Sequence, residues 1–394
     1  MARSEPAVEP RACSERHSLK SPRAYSLASV SKPIFSGQTK DDLAAWMAAA
    51  GEPGFRTSQI LEWHYEKRAL RFEDMTSLPA ALRSQLAEGF ELTPLHEVRS
   101  QLSVDGTRKF LFRLHDDNLV ESVLIPASPA LYGSAADRRT LCVSSQVGCA
   151  FDCQFCASGL AGFTRNLDPG EIVSQILEAE RISGEKVNNV VFMGMGEPLA
   201  NYRNLLKAVE ILNAEWGVGI GARRITVSTS GVAPRIRDLA DQPLAIRLAL
   251  SLHGATDEVR QRIMPVNRKY PLEVLFEALQ HWRSRKKQKV TFEYIMIDGL
   301  NDTPEQAAEL AKRARSISAK VNLIPYNSVA DFPWARSTRQ AQKDFLSVLE
   351  RAGVPATIRL EKGHDIDAAC GQLRLREETE SAAATEPATT SDLT

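Results

Sequence analysis

Three cysteines, Cys149, Cys153 and Cys156, fall in the spacing C-x3-C-x2-C, and this cluster constrains the fold more than any other feature of the chain. Thiols this close on one short loop converge on a single point, so the surrounding structure must either seal them away or build itself around an inorganic centre. They belong to a set of six, with Cys13, Cys142 and Cys370. A chain of 394 residues can bury a large core, so a small disulfide-stapled framework is excluded. A structural zinc site takes four ligands, usually from two knuckles, and the sequence has no second C-x2-C and no H-x3-H. A 4Fe-4S cluster is normally held by four cysteines, and three leave one iron open to a small ligand. Buried reduced thiols and zinc stay as alternatives; a cluster with a substrate-accessible iron is the favoured reading.

Composition adds limits rather than a function. Lys plus Arg and Asp plus Glu both number 49, and 43% hydrophobic with 25% charged residues is ordinary for a globular protein of two or three domains. Nothing forces a membrane or a polyanion partner. Residues 1–32 carry net +3 and residues 377–394 net −5, and both ends are poor in large apolar side chains. A disordered head, 1–34, and a disordered acidic tail, 377–394, are therefore expected. Glu5, Glu9 and Glu15 argue against a transit peptide, and no apolar run approaches the ~18 residues of a membrane span. A cytoplasmic protein without a membrane partner is expected.

Between these ends the hydrophobic period changes twice. Helical periodicity over Thr39–Ala50, Arg56–Arg68 and Leu78–Leu92, the last with Pro79 in its first turn, predicts a helical accessory domain at 35–93. Alternation in Lys109-Phe-Leu-Phe-Arg113 and Leu119-Val-Glu-Ser-Val-Leu-Ile125, with turns at Asp105-Gly106 and Asp117-Asn118, predicts a β-rich linker at 94–137. From 138 to 362 strands and helices alternate. Apolar runs at Leu141–Val143, Val190–Phe192, Ile225–Val227, Ile246–Leu252, Val290–Ile297 and Val321–Ile324 are each followed by a helix. Asp168-Pro-Gly-Glu171, Thr303-Pro-Glu-Gln306 and Ser337-Thr-Arg-Gln340 read as capping boxes. Six such units predict an α/β fold with a parallel sheet, as a (β/α) barrel or an open doubly wound sheet.

Polar residues at the strand ends favour the barrel, which gathers such groups at its top face. They are Gly194-Met-Gly-Glu197-Pro198, Ser228-Thr-Ser-Gly231, Ser251-Leu-His-Gly254 and Pro325-Tyr-Asn327, and the first strand runs into the cysteine loop. No G-x-G-x-x-G follows a first strand, so a Rossmann dinucleotide site is not supported. Singly each of these residues is commonly a cap or a turn; together they outline a site.

The cysteine loop after a first strand, with Gly-Glu after the second, resembles the radical S-adenosylmethionine (SAM) superfamily. Closer likeness lies in Leu141-Cys-Val-Ser-Ser-Gln-Val-Gly-Cys149, Gly162-Phe-Thr-Arg-Asn-Leu167, Val190-Val-Phe-Met-Gly-Met-Gly-Glu-Pro-Leu199, Ser251-Leu-His253 and Asp365-Ile-Asp-Ala-Ala-Cys-Gly-Gln-Leu373. These resemble the RlmN/Cfr family of RNA methyltransferases over about residues 35–375. The resemblance implies a radical SAM partial (β/α)6 barrel with an N-terminal helical accessory domain, and a C-terminal loop at 363–376 carrying a methyl-accepting cysteine. RlmN-type members methylate carbon 2 of an adenine in 23S rRNA near the peptidyl transferase centre, and many also adenine 37 of tRNAs. Cfr-type members methylate carbon 8 of the same rRNA base. Gly51-Glu-Pro-Gly-Phe-Arg56 through Met75-Thr-Ser-Leu-Pro79 resembles the RlmN side. A non-catalytic iron-sulfur RNA-binding or assembly protein is the alternative from a different class.

By the resemblance, Cys149, Cys153 and Cys156 hold a 4Fe-4S cluster whose open iron chelates SAM, and Gly196, Glu197, Ser228, Ser251, Leu252, His253 and Asn327 contact the cofactor. Two SAM serve each turnover. Cys370 accepts a methyl from the first, and the second, cleaved by one electron, gives the radical that activates it. Cys142 takes the substrate proton and breaks the protein–RNA adduct, leaving a disulfide with Cys370. Glu121 matches the family's proton acceptor, so it and Cys142 are both candidate bases. The implied partners are 23S rRNA and tRNA, an electron donor such as flavodoxin or ferredoxin, and a disulfide reductant, acting on a monomer. His364 departs from a position commonly polar or acidic in the family. Arg283, Arg285, Lys286, Lys287 and Lys289 form the one dense basic run, expected as a solvated helix end, so RNA binding rests on the resemblance.

Overall fold

The N-terminal helices form where the sequence supplies caps and inward apolar positions. In the computed structural model, which describes residues 32–127, 137–160, 162–329, 332–359, 362–366, 373–374 and 377, helix α1 (Lys40–Ala49) begins at Thr39. Thr39 Oγ1 accepts from the Asp42 amide (3.1 Å) and Asp42 Oδ2 from the Thr39 amide (2.9 Å), a closed capping box. Helices α2 (Phe55–Tyr65) and α3 (Ala80–Gly89) complete the module. The third is shorter than its periodicity predicts, because Phe90 turns extended. Leu43, Met47, Ile60, Leu61, Leu82 and Leu86 point inward and share one hydrophobic core with the rest of the chain. Most of the expected head and tail, and Cys13 and Cys370, lie outside the described residues.

Strands β1 (His96–Leu102), β2 (Arg108–Arg113) and β3 (Leu119–Pro126) are antiparallel neighbours. Strand β4 (Arg139–Cys142) pairs antiparallel with β3 on one side and opens a parallel series on the other. A separate two-stranded ladder joins β5 (Gln146–Gly148) to β6 (Phe163–Asn166), with the short helix α4 (Ala157–Leu160) between them.

Then come α5 (Pro169–Ser183), β7 (Asn189–Phe192), α6 (Tyr202–Asn213), β8 (Ile225–Thr229), α7 (Ala233–Asp241), β9 (Arg247–Ser251), α8 (Asp257–Ile263) and α9 (Leu272–Arg285). The chain continues through β10 (Thr291–Met296), α10 (Pro304–Ser316), β11 (Lys320–Pro325), α11 (Arg339–Arg351) and β12 (Ala356–Ile358). The main sheet runs β1-β2-β3-β4-β7-β8-β9-β10-β11-β12, parallel from β4 onward and open at its ends, a partial barrel. All six expected parallel strands are present; β12 is an addition.

One local expectation needs correction. The cap of α11 is Thr338, whose Oγ1 accepts from the Ala341 amide (3.1 Å), while Ser337 Oγ donates instead to Asp302 Oδ2 (2.7 Å). The basic run at the end of α9 is largely solvated as expected, with Arg283, Arg285, Lys287 and Lys289 exposed, while Lys286 Nζ donates to the Gln242 and Leu244 carbonyls and Arg283 to the Ile317 carbonyl. These side chains close the loops below the strands, and burial lowers the Lys286 pKa.

Candidate active site

The cysteine loop is a hairpin excursion clamped by backbone. Its base is the β5–β6 ladder, where the Cys149 amide donates to the Gly162 carbonyl (3.0 Å). Gly148 has φ +72°, and a Cβ there would lie 1.8 Å from the Gly162 oxygen, so only glycine permits the strands to close this tightly. Within the loop the Cys156 amide donates to the Cys153 carbonyl (3.1 Å). Its far side is tied to the end of α8 by Gln154 N to the Ile263 carbonyl (2.9 Å), and Trp334 Nε1 donates to the Gln154 carbonyl (2.5 Å).

All three thiols line a cavity of about 300 Å³ at the carboxyl ends of the parallel strands. Gly196, Glu197, Ser228, Ser251, His253 and Asn327 line it too. Leu252 does not: its side chain is buried in the core, and its backbone is held between the Glu293 carbonyl (3.0 Å) and Arg260 Nε (3.1 Å).

Several lining or supporting residues were missed from sequence. Gln146 Oε1 accepts the Glu197 amide (2.8 Å), and a Cβ at Gly196, where φ is +96°, would collide with the Gln146 side chain. Ser230 donates to Glu197 Oε2 from both its amide (2.7 Å) and its hydroxyl (2.8 Å), while Oε1 accepts from the Leu199 amide (3.0 Å). Burial raises the Glu197 pKa and those bonds oppose it. Arg260, fully buried, donates to the Leu252 carbonyl, the Ser230 carbonyl (2.5 Å) and Asn267 Oδ1 (2.7 Å), joining the ends of β8 and β9 to α8. Glu293 and Arg359 also line the cavity. A carboxylate inside the apolar run Val290–Ile297 was the available signal for Glu293.

His253 sits at φ +56°, a strained backbone position for a non-glycine residue. Its Nδ1 accepts the Ile295 amide (3.0 Å), and burial beside the Arg260 charge lowers its pKa to about 3. The ring is therefore neutral, with its proton on Nε2, and it packs edge-on against Phe155.

A second polar group lies on the linking sheet. Cross-strand partners share a face, and the registers pair Lys109 with Val123, Leu111 with Glu121, and Val123 with Cys142. Lys109, Leu111, Glu121, Val123 and Cys142 thus occupy one face. Phe110, Phe112, Val120 and Leu124 take the other, inside the main core, where Ser122 Oγ also donates to Gln175 Oε1 (2.8 Å). Glu121 Oε2 is 3.0 Å from Lys109 Nζ, and Glu121 Oε1 accepts the Arg374 amide (2.6 Å). Leu373 packs on Leu111 and Leu119. The sequence singled out Cys142 and Glu121 but not Lys109, whose place in an alternating strand reads as an exposed position.

Burial pushes the Cys149 thiol up to about 12, with Cys156, Glu197 and Asp152 adding to the effect, and Cys153 is raised well above its ordinary value for the same reason. A metal centre is what converts such thiols to thiolates. Among the described residues no three His, Cys, Asp or Glu side chains gather closely enough for one metal ion. Three thiols around a cavity wall, with polar strand ends opposite, suit the larger 4Fe-4S cluster with SAM beside it.

A partial parallel barrel that aims a three-cysteine loop and its strand ends into one cavity defines the radical SAM class of enzymes. The Radical SAM superfamily model matches residues 143–311, and the model for the ribosomal RNA large subunit methyltransferase N-terminal domain matches residues 35–92. A relative from Akkermansia muciniphila, named "Probable dual-specificity RNA methyltransferase RlmN", is 52% identical over 348 residues, 88% of this chain and 97% of that protein. A relative of the same name from Geobacillus kaustophilus is 45% identical, covering 88% and 94%. The crystal structure of a radical SAM methyltransferase from Sphaerobacter thermophilus superposes with TM-score 0.81 at 43% identity, over 86% of this chain and 98% of that one. The chain belongs to the RlmN family of radical SAM RNA methyltransferases. Membership brings a 4Fe-4S cluster, SAM and an RNA substrate. No helix among the described residues is long and apolar enough to cross a membrane.

Proposed function

We propose that this protein methylates carbon 2 of adenine in 23S rRNA at the peptidyl transferase centre and adenine 37 of tRNAs, through an S-methylated Cys370 and at the expense of two SAM per turnover. The observation that carries this reading is the shared face of the linking sheet: Cys142 and Glu121 lie on the side where Leu373 and Arg374 are bound, three and four residues from Cys370. The likeness to relatives named RlmN, at 52% and 45% identity, supports carbon 2 over carbon 8.

Cys149, Cys153 and Cys156 would hold the cluster, and Gly196, Glu197, Ser228, Ser251, His253, Asn327 and the Leu252 backbone would hold SAM. Bound together, cluster and SAM supply a one-electron cleavage that yields a hydrogen-abstracting 5′-deoxyadenosyl radical. His253 offers a neutral N–H to the cavity, and Glu197, fixed by Ser230, offers a carboxylate to an amino group. Cys370 carries the methyl, which loses a hydrogen atom and then joins the adenine carbon; the joined species gives up one electron, balancing the one that began the cleavage, and passes its carbon-2 proton to Cys142 or Glu121. Cys142 attacks the Cys370 sulfur, breaking the sulfur–carbon bond and forming a disulfide, and the freed carbon takes up a proton to complete the methyl group. A reductant must then restore the dithiol, and a flavodoxin or ferredoxin supplies the electron. The enzyme works as a cytoplasmic monomer.

The test is the nucleoside profile of rRNA and tRNA from a deletion strain, with and without the gene restored. Loss and recovery of 2-methyladenosine in both RNAs is expected. Loss of 8-methyladenosine instead, or an unchanged profile, contradicts the proposal.

A further inference from the structure

We propose that Lys109 is a positioning residue: its buried ammonium holds the Glu121 carboxylate on the face of the linking sheet that carries Cys142, and that carboxylate anchors the Arg374 backbone and so sets where Cys370 can reach. The inference rests on the reading of Cys370 as methyl acceptor and deepens it.

Lys109 is 0% exposed and Glu121 2%. A buried charge pair is expensive, and apolar residues of similar size would hold two strands together as well or better. Here the carboxylate serves a third party. Its Oε1 receives the Arg374 amide at 2.6 Å, a charge-assisted bond that fixes backbone rather than side chain. This use of the carboxylate differs from proton acceptance and needs the lysine to keep it in place.

Other contacts fix the same segment on both sides of Cys370. Upstream, Asp365 accepts from Ser103 Oγ (2.5 Å) and the Val104 amide (3.2 Å), and the Gly363 amide donates to Asp105 Oδ2 (3.1 Å). Downstream, Leu373 packs on Leu111 and Leu119, and Arg99 pairs with Glu377 (3.2 Å). The chain from Leu373 back to position 370 spans at most about 11 Å when fully extended. An anchor for a thiol that must meet Cys142 therefore has to sit on the Cys142 face and close by. Glu121 does: it is on that face, two residues along β3 from Val123, the partner of Cys142. Apolar packing of Leu373 alone would leave the segment free to slide along the strands.

The experiment uses cluster-reconstituted full-length protein carrying Lys109→Met or Lys109→Arg. Three quantities are read: hydrogen exchange at the Arg374 amide, 5′-deoxyadenosine formed, and methylated adenine formed. Lys109→Met is expected to keep its iron and its SAM cleavage, to lose exchange protection at Arg374, and to make about 100-fold less methylated adenine per 5′-deoxyadenosine, the size expected for a misplacement near 1 Å. Lys109→Arg should recover part of that ratio. Unchanged exchange and an unchanged ratio overturn the proposal, and so does a parallel fall of iron, cleavage and product, which marks a merely structural role. Faster exchange at Arg374 combined with no methyl on Cys370 in the unsubstituted protein, read by peptide mass, would keep the anchor and sink the acceptor reading. If Lys109→Met does not fold, Lys109→Gln, which removes the charge but keeps a polar end in the buried site, is read on the same scale.

Discussion

The cluster cavity and the Cys142 face of the linking sheet both gather polar groups in buried surroundings, yet they are assembled in opposite ways. At the cavity, strands β7 to β11 and the turns that follow them contribute the polar lining, and the three candidate ligand thiols come from one contiguous loop. On the linking sheet, Lys109, Glu121 and Cys142 come from three strands and meet because their registers place them on one face, which Leu373 and Arg374 then cover. The first site is specified by local sequence and backbone turns, so it tolerates little change in the loop itself. The second is specified by pairing, so its weak points are the anchors that keep a distant segment in register.

The largest effect expected from this contrast is at the loop. Replacing Cys149, Cys153 or Cys156 with Ala should abolish both iron content and SAM cleavage, because the three thiols act as one unit; a variant that keeps the cluster absorbance and full turnover would break the account of the cavity. Next comes Gly148→Ala. The added methyl meets the Gly162 oxygen and must adopt a left-handed backbone, a cost of about 1–3 kcal/mol. Lower iron occupancy and a lower melting temperature are expected, with normal hydrogen exchange at Arg374. Loss of protection there as well would mean that the two regions are not independent.

Much of this was legible in the sequence because it is local. The C-x3-C-x2-C loop, the polar strand ends and the six apolar runs each occupy a few consecutive residues, and each fell where its period and caps placed it. Ser337 was taken as the cap of α11 because Ser and Thr stand side by side, and only tertiary contact with Asp302 shows which of them turns outward. The β5–β6 ladder escaped notice because each strand is three or four residues long and shows no clear alternation. Lys109 was illegible for a different reason. A lysine in an alternating strand reads as solvent-facing, and nothing nearby in the chain announces that it will be buried against a carboxylate that also holds Arg374, 253 positions beyond that carboxylate. Ser230 and Arg260 share this property: their partners are brought by the fold, not by sequence neighbourhood.

The central claim is that Cys142 and Cys370 divide the chemistry between them, and one substitution separates their roles. On that claim, Cys142→Ala leaves the proposed methyl acceptor and cluster ligands in place but removes the thiol proposed to break the protein–RNA bond. Incubated with SAM, a reductant and substrate RNA, this variant should accumulate a covalent protein–RNA species, visible as a gel shift destroyed by nuclease, whereas Cys142→Ala/Cys370→Ala should form none. Full methylation activity in Cys142→Ala, or a cross-link that persists without Cys370, would contradict the account.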